Sequence, residues 1–191
     1  MPRLAMALVH HPCVNRAGEV YTTSITNLDV HDCARSSRTY DLDAFYIVTP
    51  LQAQMDLGNA IIGYWDDDKG KRRNPDRSRA MERAKVVASL EDAIALEREA
   101  GTGDGKVVVT SAKSDDDALM SYADGRDYIA AHDTLLVFGT GHGLADSVLD
   151  MADARLAPIT GRQVTTTEPY NHLSVRSAVA IILDKLCGQD G

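Results

Sequence analysis

Apolar residues in this chain gather into short unbroken runs rather than alternating with polar ones. "LAMALVHH" (Leu4 to His11), "DAFYIVTP" (Asp43 to Pro50), "KVVVTS" (Lys106 to Ser111), "TLLVFG" (Thr134 to Gly139) and "ARLAPI" (Ala154 to Ile159) each read as a strand. Continuous runs suit strands covered on both faces, as in a parallel sheet. Helical spacing fills the gaps. "LDVHDCARSSRTYD" opens with a capping signal at Asp29, and "LQAQMDLGNAIIGYW" carries Leu51, Met55, Ile62 and Trp65 on one stripe. "SLEDAIALEREAG" starts at Ser89 and stops at Gly101. The last helix, "NHLSVRSAVAIILDKL", is apolar nearly all round after Ala178, so it is expected to be buried against the sheet or a second subunit. Strands alternating with helices predict an α/β fold, a mostly parallel sheet flanked by helices. Residues 66–85 stand apart. Acidic at first and then basic, with Gly70 and Pro75 as breakers, they read as an exposed loop running into a helix.

Composition narrows this picture. An apolar fraction of 44% and a charged fraction of 25% in 191 residues fit one globular domain over residues 1–191. The longest apolar runs, about six residues, are too short for a membrane span. The N-terminus lacks a small-residue cleavage site and reads as a buried strand rather than a signal peptide. Cys13, Cys33 and Cys187 are far apart, with no zinc-ligand spacing. That predicts reduced thiols, no metal and a cytoplasmic location. A net charge of −8 excludes a surface generally coated for nucleic acid, but not a local basic patch. Lys69, Lys71, Arg72, Arg73, Arg77 and Arg79 form one such concentration. They read either as an RNA phosphate site or as a solvated loop neutralised by Asp66, Asp67, Asp68 and Asp76.

"FGTGHGL" (Phe138 to Leu144) asks for chemistry, because bare backbone permits positive φ or close approach of a ligand. The pattern is G-x-G-x-G after a late strand, not the dinucleotide G-x-G-x-x-G after the first. The P-loop Gly-Lys-Ser/Thr and the hydrolase G-x-S-x-G are absent. A tight turn before a short helix from Leu144 remains the plain alternative.

The order of the last third is informative: strand, glycine loop, short helix, strand ending "APITG", polar loop, then "YNHLSVRSAVAIILDKL". The matching stretches are Gly139 to Leu144, Leu156 to Ile159 and Asn171 to Ala178. With "SITNLDVHDCARSSRTYDLDAFYIVTP" as a first motif, most of the chain resembles the SPOUT, or trefoil-knot, class of S-adenosylmethionine-dependent RNA methyltransferases. It resembles in particular a bacterial subgroup of predicted RNA methyltransferases. His142 departs from the acidic residue that many relatives carry in the loop. The resemblance implies a C-terminal deep trefoil knot, S-adenosylmethionine as cofactor, tRNA or rRNA as substrate, and a homodimer with the target between subunits. It implies cofactor contacts from Thr110, Ser111, Gly139, Thr140, Gly141, His142, Gly143, Leu144, Ile159, Asn171, Leu173 and Ser174.

On the helix after Asn27, His31, Arg35 and Arg38 fall at i, i+4 and i+7 on a polar face. Val30, Cys33, Ala34 and Ser37 form the opposite face. By resemblance, Arg35 touches an RNA phosphate or assists deprotonation. Arginine is a poor base, so its role is electrostatic. Asn27 is expected to fix the loop or the target, and His31 is the acid/base candidate. Asp29 cannot face His31, being two residues away. The alternative is a solvated face with an Asp32–Arg35 pair. His10 and His11, adjacent on a strand, point to opposite faces. RNA contacts are expected from Arg38, Lys71, Arg72, Arg73 and Arg77. A second reading is a non-catalytic RNA- or nucleotide-binding protein on the same scaffold.

Overall fold

The sheet is built outward from β1 (Leu4–Val9), whose small and branched side chains are buried on both faces. In the computed structural model, which describes residues 1–111, 119–162 and 171–189, β1 pairs in parallel with β4 (Ala44–Val48) on one side and β8 (Thr134–Gly139) on the other. β5 (Ala84–Val87) lies beyond β4. Beyond β8 come β6 (Lys106–Thr110), β9 (Ala154–Leu156) and β7 (Leu119–Met120). The order is β5-β4-β1-β8-β6-β9-β7, and every ladder pair is parallel.

Alternate residues of β1 feed separate cores. Met6 and Leu8 face one layer, made by α1 (Asn27–Thr39), α2 (Gln52–Asp66), α4 (Pro75–Met81), α6 (Tyr122–Ala131) and α8 (Val175–Cys187). Ala5, Ala7 and Val9 face the other, made by α5 (Leu90–Ala100) and α7 (Asp146–Leu149). This double covering is why the strands read as unbroken apolar runs. The apolar side of α8 is satisfied within the chain: Val179, Ile182, Leu183 and Leu186 are buried in the first core. Its composition therefore no longer argues for a second subunit.

Several elements differ from the sequence expectation. The cap of α1 is Thr26, whose hydroxyl accepts the Asp29 N–H at 3.1 Å. Asp29 lies in the first turn, where its charge suits the helix dipole. In residues 66–85 the expected helix is present, but the expected loop before it is helical too. These residues make α3 (Asp68–Arg73), α4 and the start of β5. Asp67 caps α3, Asn74 caps α4 with Pro75 at its first position, and Ser78, Ala80 and Met81 are buried. Gly70 is buried against the backbone of Tyr64 and Trp65, which a Cβ there would strike. The sequence reading also passed over α6, capped by Ser121, and a two-stranded ribbon of β2 (Cys13–Val14) and β3 (Val20–Tyr21). The expected knot depends on the path of residues 163–170, which lie outside the described residues.

Polar anchors hold the amino ends of the strands. Buried Glu97 accepts from Arg3 Nε at 3.2 Å, Arg3 Nη2 at 3.3 Å and the Tyr46 hydroxyl at 2.7 Å. A concavity there, lined by Ile94, Glu97, Asp133 and Leu135, holds only about 10 Å³, room for no more than a water. This edge is structural. Arg3→Ala strands a buried carboxylate with one remaining partner, so it is expected to cost about 2 kcal/mol. Urea unfolding measures it, and a loss within error of zero contradicts the anchor.

Candidate active site

At the opposite edge, β8 ends at Gly139 beside Val9, and the glycine loop folds back under the β2–β3 ribbon. Val14 N–H donates to Gly143 O at 2.9 Å, His142 N–H to Val14 O at 3.0 Å, and Ala145 N–H to Pro12 O at 3.1 Å. The Thr140 hydroxyl donates to Val9 O at 2.9 Å and lies 2.5 Å from the Thr23 hydroxyl. Thr23 in turn accepts from His10 Nδ1 at 2.8 Å. One chain of hydrogen bonds thus runs from the end of β1 to the glycine loop. His10 Nε2 is buried without a partner among the described residues. Burial pushes the His10 imidazole down to about 4, against the opposing charge of Asp29.

The loop glycines have separate reasons. A Cβ on Gly139 would meet the Leu144 side chain, and one on Gly141, at φ +63°, would fall on the Tyr21 hydroxyl. These two are bare for the protein's own packing. Gly143, at φ +118°, has open space where a Cβ would stand. Of the three glycines expected to face a nucleoside, Gly143 is the one free to do so. It sits outside the carboxyl ends of parallel strands, where open α/β sheets take ligands. Gly141 and His142 beside it are exposed, but His142 N–H and Gly143 O are already bonded to Val14, so what the loop offers a nucleoside is the open surface at Gly143 rather than a row of free peptide groups.

The other expected cofactor contacts lie as follows. Thr110 ends β6 and donates its hydroxyl to Val137 O at 3.1 Å. Ser111 is half-buried, and Ile159 packs on the first core. Leu144 is buried beneath the loop. Ser174 caps α8, accepting the Ser177 N–H at 3.3 Å, with Asn171 and exposed Leu173 just before it. Among the described residues, no hydrogen bond joins Asn171, Leu173 or Ser174 to the glycine loop.

On α1 the two expected faces are present. Val30, Cys33, Ala34 and Ser37 are buried, and Arg35 is exposed. Among the described residues Arg35 has no hydrogen bond or ion pair. The alternative Asp32–Arg35 pair is not formed; Asp32 and Asp29 instead face Arg176 of α8 at 3.7 and 3.8 Å. Arg38 pairs with Asp41 at 3.8 Å and Lys71 with Asp66 at 2.9 Å, exposed contacts of little energetic weight. His31 is committed on both sides. Its Nδ1–H donates to Asn27 O at 2.8 Å, and its Nε2 accepts the Trp65 indole N–H at 2.7 Å. Taking a substrate proton would require breaking the Trp65 bond, so the geometry makes His31 a brace rather than an open base.

Thr23, Ile25 and Asn27 link these features. Thr23 holds the loop, and Ile25 N–H donates to Gln54 Oε1 of α2 at 2.6 Å. Asn27, four residues beyond Thr23, is within about 14 Å of it along the chain. Asn27 and His31 of α1 then meet Ile61, Tyr64 and Trp65 of α2 and Arg77 of α4 around an open cleft of about 360 Å³. Arg77 stacks on Trp65, 4.9 Å from the ring centroid. Two residues expected on the catalytic helix and one expected to hold RNA therefore share one cleft. Trp65 is buried, as its place on the apolar stripe of this helix predicts, whereas the sequence reading makes no use of Tyr64. The signal available was the Tyr-Trp pair immediately before a basic run. It also missed Thr23 and Tyr21; the turn-like "NRAG" between Val14 and Val20 was their cue.

A family model described as "SAM-dependent RNA methyltransferase" matches residues 3–188. The chain belongs to this family of S-adenosylmethionine-dependent RNA methyltransferases. It is 45% identical over 186 residues to a tRNA (guanine-N(1)-)-methyltransferase of Nitratidesulfovibrio vulgaris, covering 97% of this chain but 42% of that protein. The chain thus spans about two-fifths of that relative. An uncharacterized protein of Aquifex aeolicus is 36% identical, covering 95% of this chain and 86% of its own length. Among solved structures, TrmJ from Z. mobilis has a TM-score of 0.60 at 14% identity, covering 100% of this chain and 70% of that one. The SpoU methyltransferase AviRb from Streptomyces viridochromogenes, in complex with AdoMet, has a TM-score of 0.56 at 16% identity, covering 97% and 57%. These likenesses bear on the fold of the chain alone, which is SpoU-like.

Two outcomes follow for the loop. Gly141→Ala is expected to cost about 1–3 kcal/mol, and Tyr21→Phe in the same chain to recover part of it. No loss from the alanine would mean the loop is not clasped. Separately, the unfolded chain binds a proton at His10 below pH 6.5 that the folded one refuses until about pH 4. Stability is therefore full above pH 6.5 and falls toward pH 4, by at most about 3 kcal/mol. Asp133, held below the usual carboxylate range by N–H donation from Arg3 and Thr102, gives way only at more acid pH. His10→Gln should flatten the slope in urea titrations between pH 7 and 4.5; an unchanged slope refutes the assignment.

Proposed function

We propose that this chain transfers a methyl group from S-adenosylmethionine to a nucleotide of tRNA or rRNA, acting as one domain over residues 1–191, in the cytoplasm and as a homodimer. The observation that carries this reading is the shared cleft: Asn27 and His31 of α1 and Arg77 of the basic segment line one open pocket, and Asn27 follows by four residues Thr23, which holds the glycine loop. S-adenosylmethionine, when bound, supplies a methyl group on a positively charged sulfur. The backbone around Gly143, with Thr110 and Ile159, is the proposed wall for it. The work left to the protein is alignment and charge. Arg35, exposed and without a counter-ion among the described residues, suits a phosphate or a developing anionic oxygen. Asn27, exposed at the first position of α1, has a carboxamide available to orient the target. Arg72 and Arg73 extend the positive surface along α3. Leu28 and Leu173, 60% and 47% exposed at the starts of two helices that pack together, give a dimer apolar surface to cover. No helix among the described residues is long and apolar enough to cross a membrane.

The second reading, binding without catalysis, is favoured by one observation. His31 has both ring nitrogens occupied, and arginine is a poor base. Calorimetric titration with S-adenosylmethionine and its demethylated product, followed by methyl transfer to RNA lacking modifications, separates the two. Binding plus transfer is expected. Arg35→Ala should lower transfer about 100-fold with little change in cofactor affinity. Arg72→Glu with Arg73→Glu should weaken RNA binding and its salt dependence while sparing the cofactor. Binding without transfer to any RNA would favour the second reading, and binding of neither nucleoside would remove the enzyme.

A further inference from the structure

We propose that the cleft between α1, α2 and α4 receives an unstacked RNA base, with Tyr64 as its platform. This rests on RNA being the substrate. The cleft, about 360 Å³, falls within the range of small-ligand sites. Its chemistry is that of base and phosphate recognition rather than of a protein groove. Trp65 is fully engaged: its N–H is bonded to His31, its ring face carries Arg77, and it is 7% exposed. Tyr64 meets Trp65 edge to face at 5.0 Å and is 46% exposed, a large aromatic surface with little to cover it. A ring held rigidly by its neighbour and open to solvent is what a stacking base requires.

The polar groups around it complete the set. The Asn27 carboxamide, with donor and acceptor both uncommitted among the described residues, matches a base edge. Arg73 Nη1 lies 3.5 Å from the Tyr64 hydroxyl, and Arg77 borders the same ring pair, so both cations stand where the sugar–phosphate of a stacked base would pass. Lys71, tied to Asp66, is less available. A peptide partner would want a longer apolar lining than Ile61 offers.

The chain has a single tryptophan, and it lies in this cleft, so its emission reports occupancy directly. The full chain is titrated with a short single-stranded RNA of adenosine and cytidine, with the duplex that strand forms, and with S-adenosylmethionine alone. Binding is followed in parallel by anisotropy of labelled RNA. The single strand should quench Trp65; the duplex and S-adenosylmethionine should not. Tyr64→Ala should weaken single-strand binding about tenfold and Tyr64→Phe should restore it. S-adenosylmethionine affinity, measured calorimetrically, stays as in the wild type and serves as the fold control. Arg77→Gln should weaken binding while leaving the single strand preferred. The proposal is overturned if the strand does not bind, binds without altering Trp65, or binds Tyr64→Ala as well as wild type. It is equally overturned if S-adenosylmethionine occupies the cleft and displaces the strand. Loss of methyl transfer with these binding results intact would instead count against catalysis alone.

Discussion

The hydroxyl of Thr140 resting on the carbonyl of Val9 is the contact from which the functional edge is organised. Val9 ends the central strand and Gly139 ends its neighbour, in register. A side chain bridging the two fixes where the chain leaves the sheet. Thr23 then lies against Thr140, which brings the segment leading to α1 over the same strand ends. Remove that bridge and the loop, the ribbon and α1 lose their common reference. Short hydroxyl-to-hydroxyl bonds in a largely buried setting are suited to this, because each oxygen can both give and accept. His10 completes the series from beneath.

Much of the architecture was legible in the chain. Unbroken runs such as "LAMALV" announce a doubly covered strand, and α1 displays its small buried face at Val30, Cys33, Ala34 and Ser37. What stayed hidden had physical causes. β2, β3 and β7 are two residues each, too short to carry a period. α6 shows no clean apolar stripe, because its packed side carries Gly125, where Leu186 and Leu156 come close, between Tyr122 and Tyr128. The region 66–85 reads as a loop running into a helix because α3 and α4 are six and seven residues long, too short to display an apolar period.

The site was legible in its residues and not in their relations. The glycines stood out, yet nothing in "GTGHG" says that a Tyr21 hydroxyl claims the space at Gly141. His31 looked like an acid/base group, and its spacing on the helix could not reveal that an indole from α2 takes its lone pair. Contacts between elements distant in sequence decide these roles.

Gly70 has a mechanical meaning. Because its backbone is pressed against that of Tyr64 and Trp65, α3 cannot shift without carrying the aromatic pair along. The cations of α3 and the rings of α2 are packed as one unit, with Arg73 reaching the Tyr64 hydroxyl. A polyanion that grips one end is felt at the other, so electrostatic capture and base placement would be a single event rather than two in succession.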